Sequence, residues 1–349
     1  MDYRALGASG LKVSPICLGT LQFGAQTDEA EAARIVGSAR DAGINFIDTA
    51  VSYAGGRGEA MVGDLLAADR DRWVIATKVG SRTGPGPNDD GTSRRQIQWA
   101  IEQSLRRLRT DRVDLYYLHR DDETTPLEES VAAIGDLIRS GKVLYFGLSN
   151  FSGWRIAEVV GLCRAMGIPG PVAVQPYYHA LNRQPEAELL PAAAHFGLGV
   201  VPYSPLARGI LTGKYRPGEP PPPDSRAGRQ DIEIMRREWR EESLRVVQDL
   251  REHAERRGMT TAQFAVNWLL SNALVTAVLA GPRTLEQWAG YLAALDHGFD
   301  AEDAAVLDRL VPPGHASRYG YQDPVYPVRG RVHRDLPAGR SRPDGPAAG

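Results

Sequence analysis

The chain has 349 residues, 42% hydrophobic and 24% charged, enough to bury a sizeable core as one large domain or two ordinary ones. Its 41 basic and 43 acidic residues leave a net charge of −2, and no Lys/Arg block stands outside helical stretches that also carry Glu, so nucleic acid or another polyanion is not an expected partner. The two cysteines, Cys17 and Cys163, lie far apart with no Cys or His at ligand spacing, which argues against a disulfide framework or a zinc site and fits a reducing compartment.

The opening MDYRALGASGLKVS has no apolar core of a leader, and no uncharged apolar run reaches membrane-spanning length, so a cytoplasmic protein without membrane attachment is expected. Within it, YRALGASGLKV reads as a β-hairpin about a Gly-Ala-Ser-Gly turn. Eight short apolar runs follow: ICLGT (from 16), NFIDTA (45), WVIATK (73), VDLYYLH (113), VLYFGLS (143), VAVQPYY (172), GVVPYSP (199) and TAVLAG (276). Amphipathic helical patterns separate them. Ser93 with Gln96 and Thr125 with Glu128 are spaced as capping boxes, Pro126 falls at a first helical position, and Gly141 closes a helix. The Pro-rich stretch 215–231 exceeds an ordinary connection, and a charged helix is expected from about Ile232 to Arg257. From about Pro312 the chain is rich in Pro, Gly and Arg, and a frayed end is expected.

Apolar strands alternating with helices predict parallel strands covered on their outer face. The leading architecture is a (β/α)8 TIM barrel with an N-terminal β-hairpin and long loops at its C-terminal face, one unit over residues 1–330 with a Pro/Gly/Arg-rich tail at 331–349. An open, doubly wound sheet is the alternative.

Polar residues fall at or just past the C-terminal ends of six consecutive runs: Asp48, Lys78, His119, Ser149 with Asn150, Gln175, and Tyr203 with Ser204. That rim is where barrel active sites lie. Strands run about 4.8 Å apart, so Asp48 and Lys78 are expected to pair at matching depth, since neither charge is tolerated there alone. Tyr53 lies on the loop beyond Asp48. A neighbouring ammonium favours a phenolate, so Lys78 is expected to lower its pKa from ~10. His119 can share that proton or orient a substrate oxygen. The group suits protonation of an oxygen gaining negative charge, as in carbonyl reduction, but holds no source of two electrons, so the hydride must come from a cofactor.

Singly, each residue has a plainer reading. Asn150 fits the N-cap of the next helix, Tyr203 a rim aromatic, and His179, His195, His253, His297, His315 and His333 show no ligand spacing. Other signatures fail: GGRGEAMVG has Met61 where a dinucleotide fingerprint needs its third glycine, GILTGKY is a residue short of a P-loop, and GLSNF lacks the second glycine of a nucleophile elbow.

LGASGLKVSPICLGTLQFG, FIDTAVSY with GEAMVGDLL, TKVG, SLRRLRTDRVDLYYLHR, IRSGKVLYFGLSNF, VAVQPYYHAL, VPYSPLARGILTGKY and LAGPRTLEQ resemble, in order, the motifs of the aldo-keto reductases, in the branch that includes potassium-channel β-subunits. The resemblance implies carbonyl reduction with NADPH, in preference to NADH, on a barrel without a Rossmann domain. It assigns Tyr53 as general acid, Lys78 as its modulator, Asp48 as the lysine's partner, and His119 as the donor orienting a small carbonyl substrate. It further implies that Ser149, Asn150 and Gln175 hold the nicotinamide carboxamide, Tyr203 stacks on the ring and Thr20 lies near the ribose. Ser204, Pro205, Leu206, Gly209 and Lys214 would line the pyrophosphate channel, and Gly281, Arg283 and Gln287 the adenosine 2′-phosphate. Gly290 and Tyr291 replace a common Glu-Asn pair near the adenine, and Tyr291 is expected to stack on the base. Ala54, Gly58 and Asp121 also depart from the family pattern, at the pocket rim. Loops 120–126, 215–231 and 315–326 would set substrate choice, with Phe23, Arg120 and Tyr177 in reach and the DDE run a solvated face. The second functional class that the resemblance allows is a cofactor-sensing binding subunit with little turnover.

Overall fold

All eight apolar runs form strands, because Val, Ile, Leu and aromatic residues suit a parallel strand buried on both faces. In the computed structural model, which describes residues 1–327, an antiparallel hairpin of β1 (Arg4–Ala5) and β2 (Lys12–Val13) precedes the barrel strands. These are β3 (Ile16–Gly19), β4 (Phe46–Asp48), β5 (Val74–Val79), β6 (Val113–Leu118), β7 (Val143–Ser149), β8 (Ala173–Gln175), β9 (Gly199–Val200) and β10 (Val278–Ala280). They pair in parallel in the order β10-β3-β4-β5-β6-β7-β8-β9. The two ends of that row meet: the amides of Thr276 and Leu279 donate to the carbonyls of Val200 (2.9 Å) and Pro202 (3.1 Å). Closure leaves no strand edge open, as a (β/α)8 barrel requires.

The helices outside are α1 (Glu29–Asp41), α2 (Arg57–Leu66), α3 (Arg94–Leu108), α4 (Leu127–Arg139), α5 (Gly153–Met166), α6 (Leu189–Phe196), α7 (Ile232–Arg237), α8 (Glu241–Arg256), α9 (Thr261–Ser271), α10 (Leu285–Leu292) and α11 (Ala301–Leu310). No helix among the described residues is long and apolar enough to cross a membrane.

Two cores follow from the period-2 alternation of a strand. Inward residues, including Cys17, Phe46, Val74, Ala76, Leu115, Tyr117, Ala173 and Val201, fill the barrel together with Leu6 and Val13 of the hairpin. The hairpin therefore plugs the barrel's N-terminal end. Outward residues such as Ile47, Ile75, Tyr116 and Leu148 pack against the helices. Continuing the inward rows by one pleat gives Asp48 after Phe46, Lys78 after Ala76 and Gln175 after Ala173. The polar rim is the top layer of the barrel interior.

Several local expectations are corrected. Ser93 accepts from the Gln96 amide (3.3 Å), but the Gln96 side chain donates to Thr83, so only half the box forms. Thr125 does not cap at all: its hydroxyl donates to Asp122 (2.7 Å), and α4 starts at Leu127 with Pro126 in the cap position. The charged helix is two, α7 and α8. It breaks where the fully buried Glu238 turns inward to accept from the Tyr177 hydroxyl. The chain beyond Pro312 is tied down as far as it is described. The Ser317 amide donates to Leu181 O (3.0 Å), Tyr321 O accepts from Gln184 (2.8 Å), and Asp323 forms a buried ion pair with Arg237. The tail 331–349 lies outside the described residues.

Gly63 on α2 faces the end of α3, where an added Cβ would overlap the carbonyl of Arg107 and the backbone of Leu108. Gly63→Ala is therefore expected to destabilise the protein by ~1–3 kcal/mol in equilibrium denaturant unfolding. An unchanged midpoint would mean that α2 and α3 do not approach this closely.

Candidate active site

At the barrel mouth the sequence brings its charged residues into one contact network. Register sets Asp48 opposite Ala76, not Lys78, so the expected matching depth is corrected. Lys78 stands one pleat further along, and its long stem reaches back. Its ammonium has three donors, and each is used: on Asp48 Oδ1, on the Thr49 carbonyl (2.8 Å) and on the Tyr53 hydroxyl (3.2 Å). Asp48 and Lys78 are 1% and 0% exposed. The other Asp48 oxygen accepts from Gln175 Nε2 (3.0 Å), and the Asp48 carbonyl accepts from Thr20 Oγ1 (3.0 Å). A buried ion pair persists only when its remaining donors and acceptors are satisfied, as they are here.

Burial disfavours the ammonium, but Asp48 and Tyr53 outweigh it and hold the Lys78 pKa above its ordinary value. For Tyr53 the expected sign is reversed. Burial pushes the phenol up more strongly than Lys78 pulls it down, and Asp48 adds to the rise. The phenol is thus firmly protonated at neutral pH, and the residue is half-buried. His119 sits beside it, ring centroids 6.1 Å apart in an edge-on arrangement. Burial, then Lys78 and Arg120, hold its imidazole well below the ordinary value, so it is neutral. Its Nδ1 lies 3.1 Å from Ser81 Oγ. A proton donated there by the serine leaves the ring proton on Nε2. Ser81 is missing from the sequence reading, because nothing about a serine three residues past Lys78 marks it before the strands are aligned.

Asn150 does not cap α5, whose N-cap is Ser152. Instead it adopts φ 60 and donates to His119 O (2.8 Å) and Ser149 Oγ (3.1 Å) while accepting from Tyr203 Oη (2.8 Å). Ser149 donates to Gln175 O (2.9 Å). Tyr203 lies against Tyr177, centroids 5.6 Å apart. The four residues Ser149, Asn150, Gln175 and Tyr203 form one wall beside the ion pair.

Beyond Tyr203 the backbone is strained. Ser204, Ala207, Arg208 and Gly209 all have positive φ (57, 46, 53 and 105), an arrangement costly for residues with a Cβ and concentrated at ligand-binding loops. Pro205 is buried and Leu206 packs on the core. The exposed Lys214 carries its ammonium within 3.6 Å of where a Gly209 Cβ would stand. On the loop after β10, Arg283 receives Thr27 Oγ1 on its carbonyl (2.9 Å) and donates to Gln26 (3.2 Å), while Gln287 accepts from its amide (2.9 Å). Burial and the nearby positive charges of Arg229 and Arg226 lower its pKa. Those two arginines sit on the Pro-rich stretch, and only folding brings their charge to bear on Arg283. Arg226 is already paired with Asp231 (2.8 Å), but the positive field at Arg283 suits an anion, and its forked donors match a phosphate.

Other expectations do not hold. Tyr291 is only 8% exposed in the main core, its hydroxyl turned to the Gly281 backbone, so it has little free ring to stack on a base. Phe23 is fully buried in the core. Tyr177 is spent on Glu238, with Arg237 4.2 Å over its ring, and Arg120 is held by Asp90. The DDE run is structural: Asp121 pairs with Arg155 (2.7 Å), and buried Asp122 accepts from Thr92 N, Thr124 and Thr125. A cavity of about 280 Å³ lined by Thr125, Pro126, Trp154 and Arg155 lies on the outer surface and includes none of the residues around Lys78. No group of three or more His, Cys, Asp and Glu side chains among the described residues is gathered as a metal site.

The Aldo/keto reductase family model matches residues 15–312. Among curated proteins, the chain is 39% identical over 302 residues to a probable voltage-gated potassium channel subunit beta of Oryza sativa subsp. japonica, covering 85% of this chain and 92% of that one. It is 38% identical over 333 residues to the uncharacterized oxidoreductase YrpG of Bacillus subtilis (strain 168), covering 92% and 99%. With the L-glyceraldehyde 3-phosphate reductase of Escherichia coli (strain K12) it shares 37% identity over 329 residues, covering 90% and 93%. The chain belongs to the aldo/keto reductase family, and so to oxidoreductases of carbonyl compounds.

Removing the ammonium alone leaves a buried carboxylate uncompensated. Lys78→Met is expected to lose ~3–5 kcal/mol in denaturant unfolding, and the double variant Asp48→Asn/Lys78→Met to regain most of it. If both lost the same amount, the two groups would not be coupled. Asp122 supplies a pH test. Burial alone would raise its pKa, but hydrogen bonds from Thr124, Thr92 and Thr125 bring it from 3.8 to about 2. A depressed folded pKa gives stability that is present above the unfolded value and lost as pH falls towards about 2, roughly 2 kcal/mol in all. Asp122→Asn should flatten that part of the stability profile, and an unaltered acid limb would show that the loop is held otherwise.

Proposed function

From its membership in this family, we propose that the protein reduces an aldehyde or ketone to an alcohol, with NADPH as hydride donor and Tyr53 as proton donor. The observation that carries the reading is the Lys78 ammonium, locked by Asp48 and donating to the Tyr53 hydroxyl at 3.2 Å. NADPH, when bound, supplies the hydride from its nicotinamide C4.

The residues do the rest. Tyr53, protonated and half-buried, holds its proton until negative charge builds on the substrate oxygen; an alkoxide is basic enough to take it from a phenol of raised pKa. Lys78 then stabilises the phenolate in a site with little water, where a fixed charge acts strongly. Neutral His119 donates from Nε2 to the same oxygen and sets its direction. Ser149, Asn150 and Gln175 offer amide and hydroxyl groups suited to a carboxamide, and Tyr203 a ring suited to stacking. The positive-φ loop 204–209 with Lys214 suits a pyrophosphate, and Arg283, in the positive field of Arg229, suits a 2′-phosphate, which favours NADPH over NADH. A second reading, a cofactor-sensing subunit, is favoured by the two channel-subunit relatives, at 39% and 40% identity. Sustained turnover with a panel of aldehydes supports the enzyme; a single slow oxidation of bound cofactor supports the subunit.

Tyr53→Phe should lower reductase turnover by ~10²–10⁴-fold and leave NADPH affinity unchanged in a fluorescence titration; full activity without the hydroxyl would end the proposal. Because Tyr53 stays protonated, His119 neutral and Lys78 charged, kcat should hold level from about pH 7 to about pH 9. A decline centred near neutrality would mean that the lysine, and not burial, sets the tyrosine. Arg283→Ala with Arg229→Ala should weaken NADPH selectively over NADH, and equal weakening of both would remove the 2′-phosphate assignment.

A further inference from the structure

Tyr53 sits on a loop, so its hydroxyl is placed only as well as that loop is held. The loop is locally strained: Ala54, Gly55 and Gly56 have φ of 49, 65 and 94 just before α2. What restrains it lies outside the barrel, behind the site. Thr77, next to Lys78 in β5, faces the opposite way and donates to Glu59 Oε1 on α2 (2.7 Å). Glu59 is fully buried. Its Oε2 accepts from Arg107 Nη1 on α3 (3.2 Å), and the same nitrogen donates to the carbonyl of Val51 (3.0 Å), two residues before Tyr53. The Val51 amide in turn donates to the Lys78 carbonyl (3.3 Å). The guanidinium also lies against Gly56, where any Cβ would overlap Arg107 Cζ. One carboxylate thus ties the strand bearing Lys78 to the helix after Tyr53, and one guanidinium ties both to the loop between.

We propose that Arg107 and Glu59 are positioning residues for the reduction. They set the contact between the Tyr53 hydroxyl and the Lys78 ammonium from the outer layer, without touching substrate or cofactor. The proposal rests on Tyr53 being the proton donor. A displacement of ~1 Å at a reacting group can cost ~10²-fold in rate, so slack in this bracket would be felt in the chemical step alone.

The test compares Arg107→Met, Arg107→Lys and Glu59→Gln by single-turnover reduction, NADPH titration and thermal unfolding. It adds ¹³C NMR titration of the tyrosine Cζ resonances, with Tyr53→Phe to assign the signal. Arg107→Met is expected to lower the chemical rate ~10²-fold with NADPH affinity within about two-fold. Arg107→Lys should recover about ten-fold by restoring the charge, and in Arg107→Met the Tyr53 titration should shift towards its ordinary value of ~10 as the loop loosens and water enters. A rate within two-fold of the parent, or a rate loss matched by loss of cofactor affinity, would overturn the proposal and leave the bracket a staple of the fold. Should Arg107→Met fail to fold, Glu59→Gln decides the same comparison, since it keeps shape and weakens only the ionic link. If the parent protein turns over no carbonyl, the proton-donor reading fails separately. The Tyr53 titration then decides: a shift in the variants upholds the positioning role, and an unmoved titration rejects it.

Discussion

The structure depends on one buried charge pair. Placing Lys78 and Asp48 inside a closed barrel removes both from water, and neither is tolerable there without the other. The contacts around them answer that constraint: Thr49 and Tyr53 take the two remaining donors of the ammonium, and Gln175 the second oxygen of the carboxylate. Those partners come from β8 and the loop after β4, the strand that carries Asp48, so satisfying the pair fixes strands on opposite sides of the barrel relative to one another. Chemistry and architecture share the same hydrogen bonds.

Two electrostatic regimes follow from that arrangement. Near Lys78 the charges are matched and dry, which keeps Tyr53 and His119 in single, defined protonation states at neutral pH. At the far rim, burial and the positive charges of Arg229 and Arg226 lower the pKa of Arg283. The first regime suits proton donation, and the second suits an incoming phosphate. The backbone between them carries the strain of Ser204, Ala207 and Arg208, all at positive φ. Such strain is tolerated where a segment must present its amides in one direction.

Much of this was legible in the sequence, for physical reasons. The eight strands were marked by apolar runs of strand length, and the rim by polar residues that continue the inward-facing row by one step, as Asp48 continues Phe46. What escaped was whatever depends on the balance of opposing terms or on contacts far apart in the chain. The sign of the Tyr53 shift turns on burial against Lys78, and burial cannot be read from residue types. Thr125 had the spacing of a cap, yet α4 begins a residue later with Pro126 in the cap position, and the Thr125 hydroxyl is turned to Asp122. The predicted long helix broke at Glu238, because that carboxylate is drawn inward to Tyr177. Tyr291 was expected to offer its ring to a base, but its depth in the core leaves little of it free. Ser81, Arg226, Arg229, Glu59 and Arg107 matter through partners tens of residues away, and no local pattern announces them.

The most direct test of the account is ¹⁵N NMR of the Lys78 side chain followed through alkaline pH, with Lys78→Met to assign the signal. The account predicts an ammonium in slow exchange with water, still charged above the ordinary lysine value of ~10.4. A neutral amine at neutral pH would contradict it, for then no fixed charge would stand beside Tyr53 and the proposed proton transfer would lose its support.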